Sequence, residues 1–248
     1  MRRIGFSTGA LAYSDFRRAR AILVRKGIYI VELSALRMSE MRPLIDALDA
    51  LDMTAFDYVA VHAPSEFPDG EEQRVAECLE TVRQKGWSLI VHAEAIRDYA
   101  LWRSFGDSLC VENADKRKRT GRTARELSRI FQQLPAASFC FDIGHARQVD
   151  PTMTEAYLML RDLGSRLRQV HVSEVSADSR HDVISLGSIF AFRRVAHLIP
   201  AHVPLILETP VDEEGIERQV NAAAEALPTS GGQPAVPLRD LAPMPLTW

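Results

Sequence analysis

Residues able to act as acids, bases or metal ligands recur at one kind of place in this sequence, the end of a short apolar run. His62 ends "YVAVH" (58–62), His92 ends "SLIVH" (88–92), Glu112 ends "SLCVE" (108–112) and Asp142 ends "SFCFD" (138–142). His171 lies in "QVHV" (169–172), Glu208 ends "PLILE" (204–208), and Glu32 falls near the end of "IYIVEL" (28–33). Of the seven histidines in the chain, four (His62, His92, His145 and His171) belong to these places or follow within three residues. Taken alone, a histidine after a strand is an ordinary loop residue and an aspartate there is an ordinary helix cap. Taken together, such ends would converge, and clustered buried carboxylates and imidazoles need a cation between them to offset lost hydration. A mixed oxygen and nitrogen set suits divalent Zn, Mn, Fe, Co or Mg. Cys78, Cys110 and Cys140 have no paired spacing, and the latter two sit in apolar runs as buried thiols, so an all-sulfur site is excluded.

The elements that must position these residues alternate regularly. Eight strand-like runs, the seven above and "RIGFS" (3–7), are four to six residues long and continuously apolar, as in parallel strands buried on both faces. Between them lie amphipathic stretches. In "SDFRRARAILVRKG" (14–27), Phe16, Ala19, Ile22 and Leu23 share a face, Ser14 is the expected N-cap and Gly27 the stop. Further helices are expected over 38–52 (with Pro43 near its start), 70–86, 95–104, 123–134, 154–164, 188–199 and 212–227. This alternation predicts a single α/β domain, a (β/α)8 TIM barrel over 1–227, whose active site lies at the C-terminal ends of the strands. A doubly wound sheet is the competing architecture, but "STGAL" (7–11) is a poor match to its glycine-rich phosphate turn. Residues 228–248 hold five of the thirteen prolines without periodicity and are expected to form an extended or disordered Pro-rich C-terminal extension.

Composition narrows the partners. The chain has 248 residues, 46% hydrophobic and 25% charged, with net charge −3 and pI near 6.2. It exerts no general pull on nucleic acid or acidic lipid, and "KRKRTGR" (116–122) reads as a solvated loop. Neither a membrane span nor the apolar region of a secretory leader is apparent, so a cytoplasmic location is expected. A small-molecule ligand is the expected partner, and oligomeric state is left open.

The ordered series "VHAP" (61–64), "VHAE" (91–94), "VEN" (111–113), "FDIGHA" (141–146), "VHVSE" (170–174) and "LETP" (207–210) resembles the xylose isomerase-like TIM barrel superfamily. That group contains sugar and sugar-phosphate isomerases and epimerases, and endonuclease IV-type repair enzymes. The resemblance implies that Glu112, Asp142, His171 and Glu208 hold a shared divalent metal. It also implies that Glu112 and Glu208 are catalytic, exchanging protons with adjacent carbons of a sugar-like polyhydroxy carbonyl substrate. The alternative it implies is a two-metal phosphoesterase or nuclease, with His62 and His92 joining Glu112 at a second ion; in the endonuclease-type members the residue matching His145 also helps to hold a third. A dehydratase or lyase could use the same groups. Candidates for substrate contact are Glu32, His145, Arg147 and His181, while Asn113 is expected to buttress the site and His197 and His202 to be structural.

Two departures bear on the reaction. Where the nuclease pattern has Asp-x-His before Leu-Gly, this chain has His181 and Val183 in "HDVISLG" (181–187), leaving the third metal site incomplete. Where tagatose/psicose-type epimerases have a second glutamate and an arginine, it has Lys118 and Ala177.

Overall fold

The structure, a computed structural model, describes residues 2–229. The strands in chain order are β1 (Ile4–Ser7), β2 (Ile30–Ser34), β3 (Tyr58–His62), β4 (Ser88–His92), β5 (Leu109–Glu112), β6 (Ser138–Asp142), β7 (Leu167–Val172), β8 (Glu174–Val175), β9 (His181–Asp182) and β10 (Leu205–Leu207). All but β8 and β9 pair in parallel and close into an eight-stranded barrel, in which β10 joins β7 to β1. The helices are α1 (Phe16–Arg25), α2 (Met38–Ala47), α3 (Glu72–Gln84), α4 (Tyr99–Trp102), α5 (Ala124–Gln133), α6 (Ile143–Val149), α7 (Thr154–Leu163), α8 (Leu186–Arg193) and α9 (Ile216–Ala226). The expected (β/α)8 barrel is therefore the fold. The expected C-terminal extension lies outside the described residues, apart from its first two.

Strand periodicity explains why continuously apolar runs end in polar groups. Successive side chains point to opposite faces, so odd-numbered Val59, Val61, Leu89, Val91, Leu109, Val111, Phe139 and Phe141 face the helices and join the main core. Their even-numbered neighbours point into the barrel. Ala60, Ile90, Cys110 and Cys140 form a separate, fully buried layer there, and the next even residues are His62, His92, Glu112 and Asp142. The small side chains of that layer fill the barrel interior below the polar ring. Cys110 and Cys140 are indeed free, buried thiols.

Local irregularities tune this register. A shift between Phe139 and Cys140 in the β6–β7 pairing leaves Arg168 unpaired and sets Asp142 opposite His171. Helix α6 starts immediately after β6, where a Cβ on Gly144 would lie 2.6 Å from the Ser173 carbonyl oxygen, so only glycine permits this approach. At α1 the capping residue is Asp15, which accepts from the Arg18 N–H at 3.0 Å, rather than Ser14. Ser14 instead belongs, with Ala12 and Tyr13, to three consecutive left-handed residues. Gly27 ends α1 with φ of 68°, as expected.

Candidate metal centre

Register and periodicity place His62, His92, Glu112, Asp142 and His171 at one end of the barrel, with Glu208 just beyond β10. All six are buried. Single donor atoms from Glu112, Asp142, His171 and Glu208 lie within 4.8 Å of one another, a set that could hold a metal ion. A second set, His62, His92 and Glu112, meets the same limit and shares Glu112 with the first. Both border a cavity of about 530 Å³ at the mouth, lined among others by Glu112, His145, His181 and Glu208.

Glu112 is the hub. Its Oε2 lies 3.0 Å from His62 Nε2 and 3.8 Å from His92 Nε2, and its Oε1 lies 3.4 Å from His145 Nδ1 and 3.5 Å from His171 Nδ1. His171 Nδ1 is also 3.3 Å from Glu208 Oε2. Asp142 uses Oδ1 to cap α6, accepting from the His145 N–H at 2.6 Å, and leaves Oδ2 free. Asp142 Oδ2 and His171 Nδ1 are fully buried yet have no hydrogen-bond partner. An unsatisfied buried oxygen and nitrogen converging with two further carboxylates is a poor arrangement for protein alone and a suitable one for a cation.

Protonation follows the same imbalance. Burial pushes the Asp142 carboxyl up to about 7, helped by the nearby Glu208 and Glu112 charges against the pull of His145. Burial alone would lower His171, but Glu208, Glu32 and Glu112 hold it well above the ordinary histidine range. His145 is likewise raised to about 10, mainly by Asp142 and Glu112 overcoming burial. The adjacent His62 and His92 diverge. Both are buried, but the Glu112 hydrogen bond carries His62 to about 9, whereas burial prevails at His92 and lowers it to about 4. Surrounding imidazoles keep Glu112 and Glu208 ionised despite burial. Without a metal, protons on imidazole supply the positive charge that these carboxylates demand.

The remaining expected residues divide. His145 and His181 border the cavity, and β8–β9 brings His181 Nδ1 to 3.6 Å from Glu208 and 2.8 Å from Ser173 Oγ. Glu32, expected as a substrate contact, is fully buried below the mouth; its Oε2 lies 2.8 Å from His171 Nε2 and accepts from Gln169 at 2.6 Å. It orients His171 instead. Arg147, expected as another substrate contact, donates to Ser188 Oγ at 2.6 Å and lies 3.6 Å from Glu174, and it is not among the residues lining the cavity. Asn113 does buttress, its side chain donating to the Asp142 carbonyl at 2.8 Å and accepting from the Asp142 N–H at 2.7 Å. Sequence reasoning missed Gln169 and Tyr58, whose hydroxyl donates to Gln169 Oε1 at 2.7 Å. The available signal was that Gln169 and His171, two apart on one strand, must share the inner face.

Fold and site together define a (β/α)8 barrel with a buried cluster of acids and imidazoles at its mouth. The chain belongs to the xylose isomerase-like TIM barrel family, whose model matches residues 32–229. Among solved structures it is similar to a xylose isomerase-like TIM barrel protein from Mycobacterium smegmatis in complex with magnesium (11% identity, 92% of this chain and 98% of that one, TM-score 0.56). It is also similar to a protein described as a mandelate racemase/muconate lactonizing enzyme from Silicibacter pomeroyi (14%, 84% and 52%, TM-score 0.51). A third is described as a dehydratase from Mesorhizobium loti (13%, 88% and 57%, TM-score 0.51). At these identities the likeness is one of fold. No curated protein matches the chain in sequence. Among the described residues no helix is long and apolar enough to cross a membrane.

Proposed function

We propose that the protein is a divalent-metal-dependent isomerase or epimerase acting on a small sugar-like polyhydroxy carbonyl compound. The observation that carries this reading is the pair of buried, unpartnered atoms, Asp142 Oδ2 and His171 Nδ1, converging with Glu112 and Glu208. These four residues would hold the ion, and the oxygen-rich set favours Mg or Mn over softer metals. A magnesium complex of a relative with the same fold supports that choice. When bound, the ion would polarise a substrate carbonyl and offset negative charge developing on its oxygen.

The chain's own groups supply proton transfer. Glu112 and Glu208 are both held ionised and approach the same imidazole nitrogen, at 3.5 and 3.3 Å, from different strands. One carboxylate removes the proton α to the carbonyl and, now protonated, returns it to the adjacent carbon; delivery to the opposite face would require the other carboxylate to take up a proton from solvent first, the first releasing its own. His181 and His145 border the cavity, and in this reading they would meet substrate hydroxyls.

A two-metal hydrolase is the second reading, favoured by the His62, His92 and Glu112 set. Val183, in place of the ligand its third site needs, counts against it. Incubation with candidate sugars in D2O tests the choice. The isomerase reading expects deuterium at the carbon next to the carbonyl, lost in Glu112→Gln and Glu208→Gln. Hydrolysis of phosphodiesters without such exchange would establish the other reading.

A further inference from the structure

Two arginines and one lysine border the mouth cavity, and their partners differ. Arg117 is held by both Asp115 oxygens, at 3.1 and 3.2 Å, and Asp115 is itself buried and also accepts from Ser179. Arg37 stands largely in water beside Glu40, at 2.6 Å. Lys118 reverses that arrangement. Its side chain is 10% exposed, while its partner Glu66, at 2.5 Å, is 80% exposed; Glu94 is more distant at 3.9 Å.

The loop carrying Lys118 is fixed in place. Arg119 donates its backbone N–H to Glu94 Oε1 at 3.0 Å, and Gly121, at φ of 83°, packs so near Ala93 that a Cβ would come within 2.5 Å of it. A neighbouring cavity of about 380 Å³ shares Ser65 and Glu66 with the mouth, so the Lys118–Glu66 pair stands at their common edge.

An ammonium on a largely covered side chain favours an accompanying anion, but an exposed carboxylate can return to water at little cost. Lys118 is thus a fixed charge with an exchangeable counter-ion. We propose that Lys118 determines specificity by binding an anionic group of the substrate, a phosphate or carboxylate, which takes the place of Glu66. This assignment rests on the isomerase reading of the same cavity, and it narrows the substrate to a sugar-like carbonyl compound bearing a terminal acid.

The test is calorimetric titration of the full-length, magnesium-loaded protein with ribitol, ribonate and ribitol 5-phosphate, which lack a reactive carbonyl. At least one anion should bind about tenfold tighter than ribitol, the scale of one charge-assisted hydrogen bond. A preference for ribitol 5-phosphate alone assigns phosphate, and one for ribonate alone assigns carboxylate. Lys118→Met should abolish the preference while leaving ribitol affinity and melting temperature unchanged. Lys118→Arg should retain part of it, and Glu66→Gln should increase it by removing the competing anion. Equal binding of all three ligands, or a preference that survives Lys118→Met, would overturn the proposal. Deuterium exchange assayed in parallel separates the two readings: an anion preference dependent on Lys118 but without exchange sinks only the isomerase assignment.

Discussion

The two ends of the barrel carry cavities of nearly equal size and opposite chemistry. The mouth encloses about 530 Å³ and the floor, at the strand N-termini, about 520 Å³. The floor is lined by Arg3, Arg166 and Arg168, all directed at partners. Arg166 donates to the carbonyls of Pro135 and Ala137 at 2.6 and 3.0 Å and lies over the Phe131 ring, while Arg3 and Arg168 reach Asp57 and Asp107. These arginines fasten loops. At the mouth the charged groups are more deeply buried, and three of their atoms, His92 Nδ1, Asp142 Oδ2 and His171 Nδ1, make no hydrogen bond. The two cavities therefore differ not in volume but in how fully the polar groups around them are satisfied. The two ends are linked through the interior by Tyr58, Gln169, Glu32 and His171, each hydrogen-bonded to the next.

Four experiments test this contrast, beginning with the largest effect. Asp142→Asn keeps an efficient helix cap but removes the free carboxylate oxygen, so metal content should collapse with little thermal destabilisation. Affinity should fall by at least about a hundredfold, as for loss of a ligand rather than of its support. Metal analysis after dialysis, with a melting curve as control, reads both. Glu32→Gln, acting one residue away through His171, should weaken metal binding by about ten- to a hundredfold. Isothermal titration would expose the idea as wrong if affinity were unchanged.

The third experiment is pH dependence. His62 and His145 have folded-state values of about 9 and about 10, above the ordinary 6.5, and His171 is raised as well. The stability they contribute is fully present below about 6.5 and disappears as pH rises through 9 to 10. His92 and His181 are shifted downward, so their windows lie below that range. Metal-stripped protein should accordingly lose melting temperature between pH 7 and 10 more steeply than magnesium-loaded protein, in which the ion replaces those protons. Parallel curves in calorimetry would contradict this. The smallest effect belongs to the floor: Arg166→Ala should cost about 1 kcal/mol of stability from lost hydrogen bonds and leave metal content untouched. A drop in metal content would mean that the floor is not merely structural.

Most of this mouth was legible in the sequence because strand ends in a parallel barrel all face one way. Once eight runs were recognised, Glu112, Asp142, His171 and Glu208 were expected at one mouth together with His62 and His92; that these four share one metal was implied by the family resemblance, not by the strand pattern. The reading of Asp142 as a plain helix cap was also true, since one carboxylate carries two oxygens and each has its own role. Glu32 was misjudged because its proximity to a strand end did not reveal its depth. It lies beside Ser7 of β1 and Ala60 of β3 in register, one layer lower than His62. The partners of Arg147, Glu174 and Ser188, were not legible because they come from a distant part of the chain that no local pattern brings near. The β8–β9 hairpin that lowers His181 toward Glu208 was equally hidden, being a polar loop with two-residue strands.

The decisive question is whether Glu112, Asp142, His171 and Glu208 share one cation. Manganese-soaked crystals, examined by anomalous scattering, address this directly. A single strong peak about 2.0–2.3 Å from a donor atom of each of the four residues is the predicted result, the range for such ions with oxygen and nitrogen ligands. An empty mouth at saturating manganese, or a peak bound elsewhere while Asp142 Oδ2 and His171 Nδ1 remain unpartnered, would contradict it.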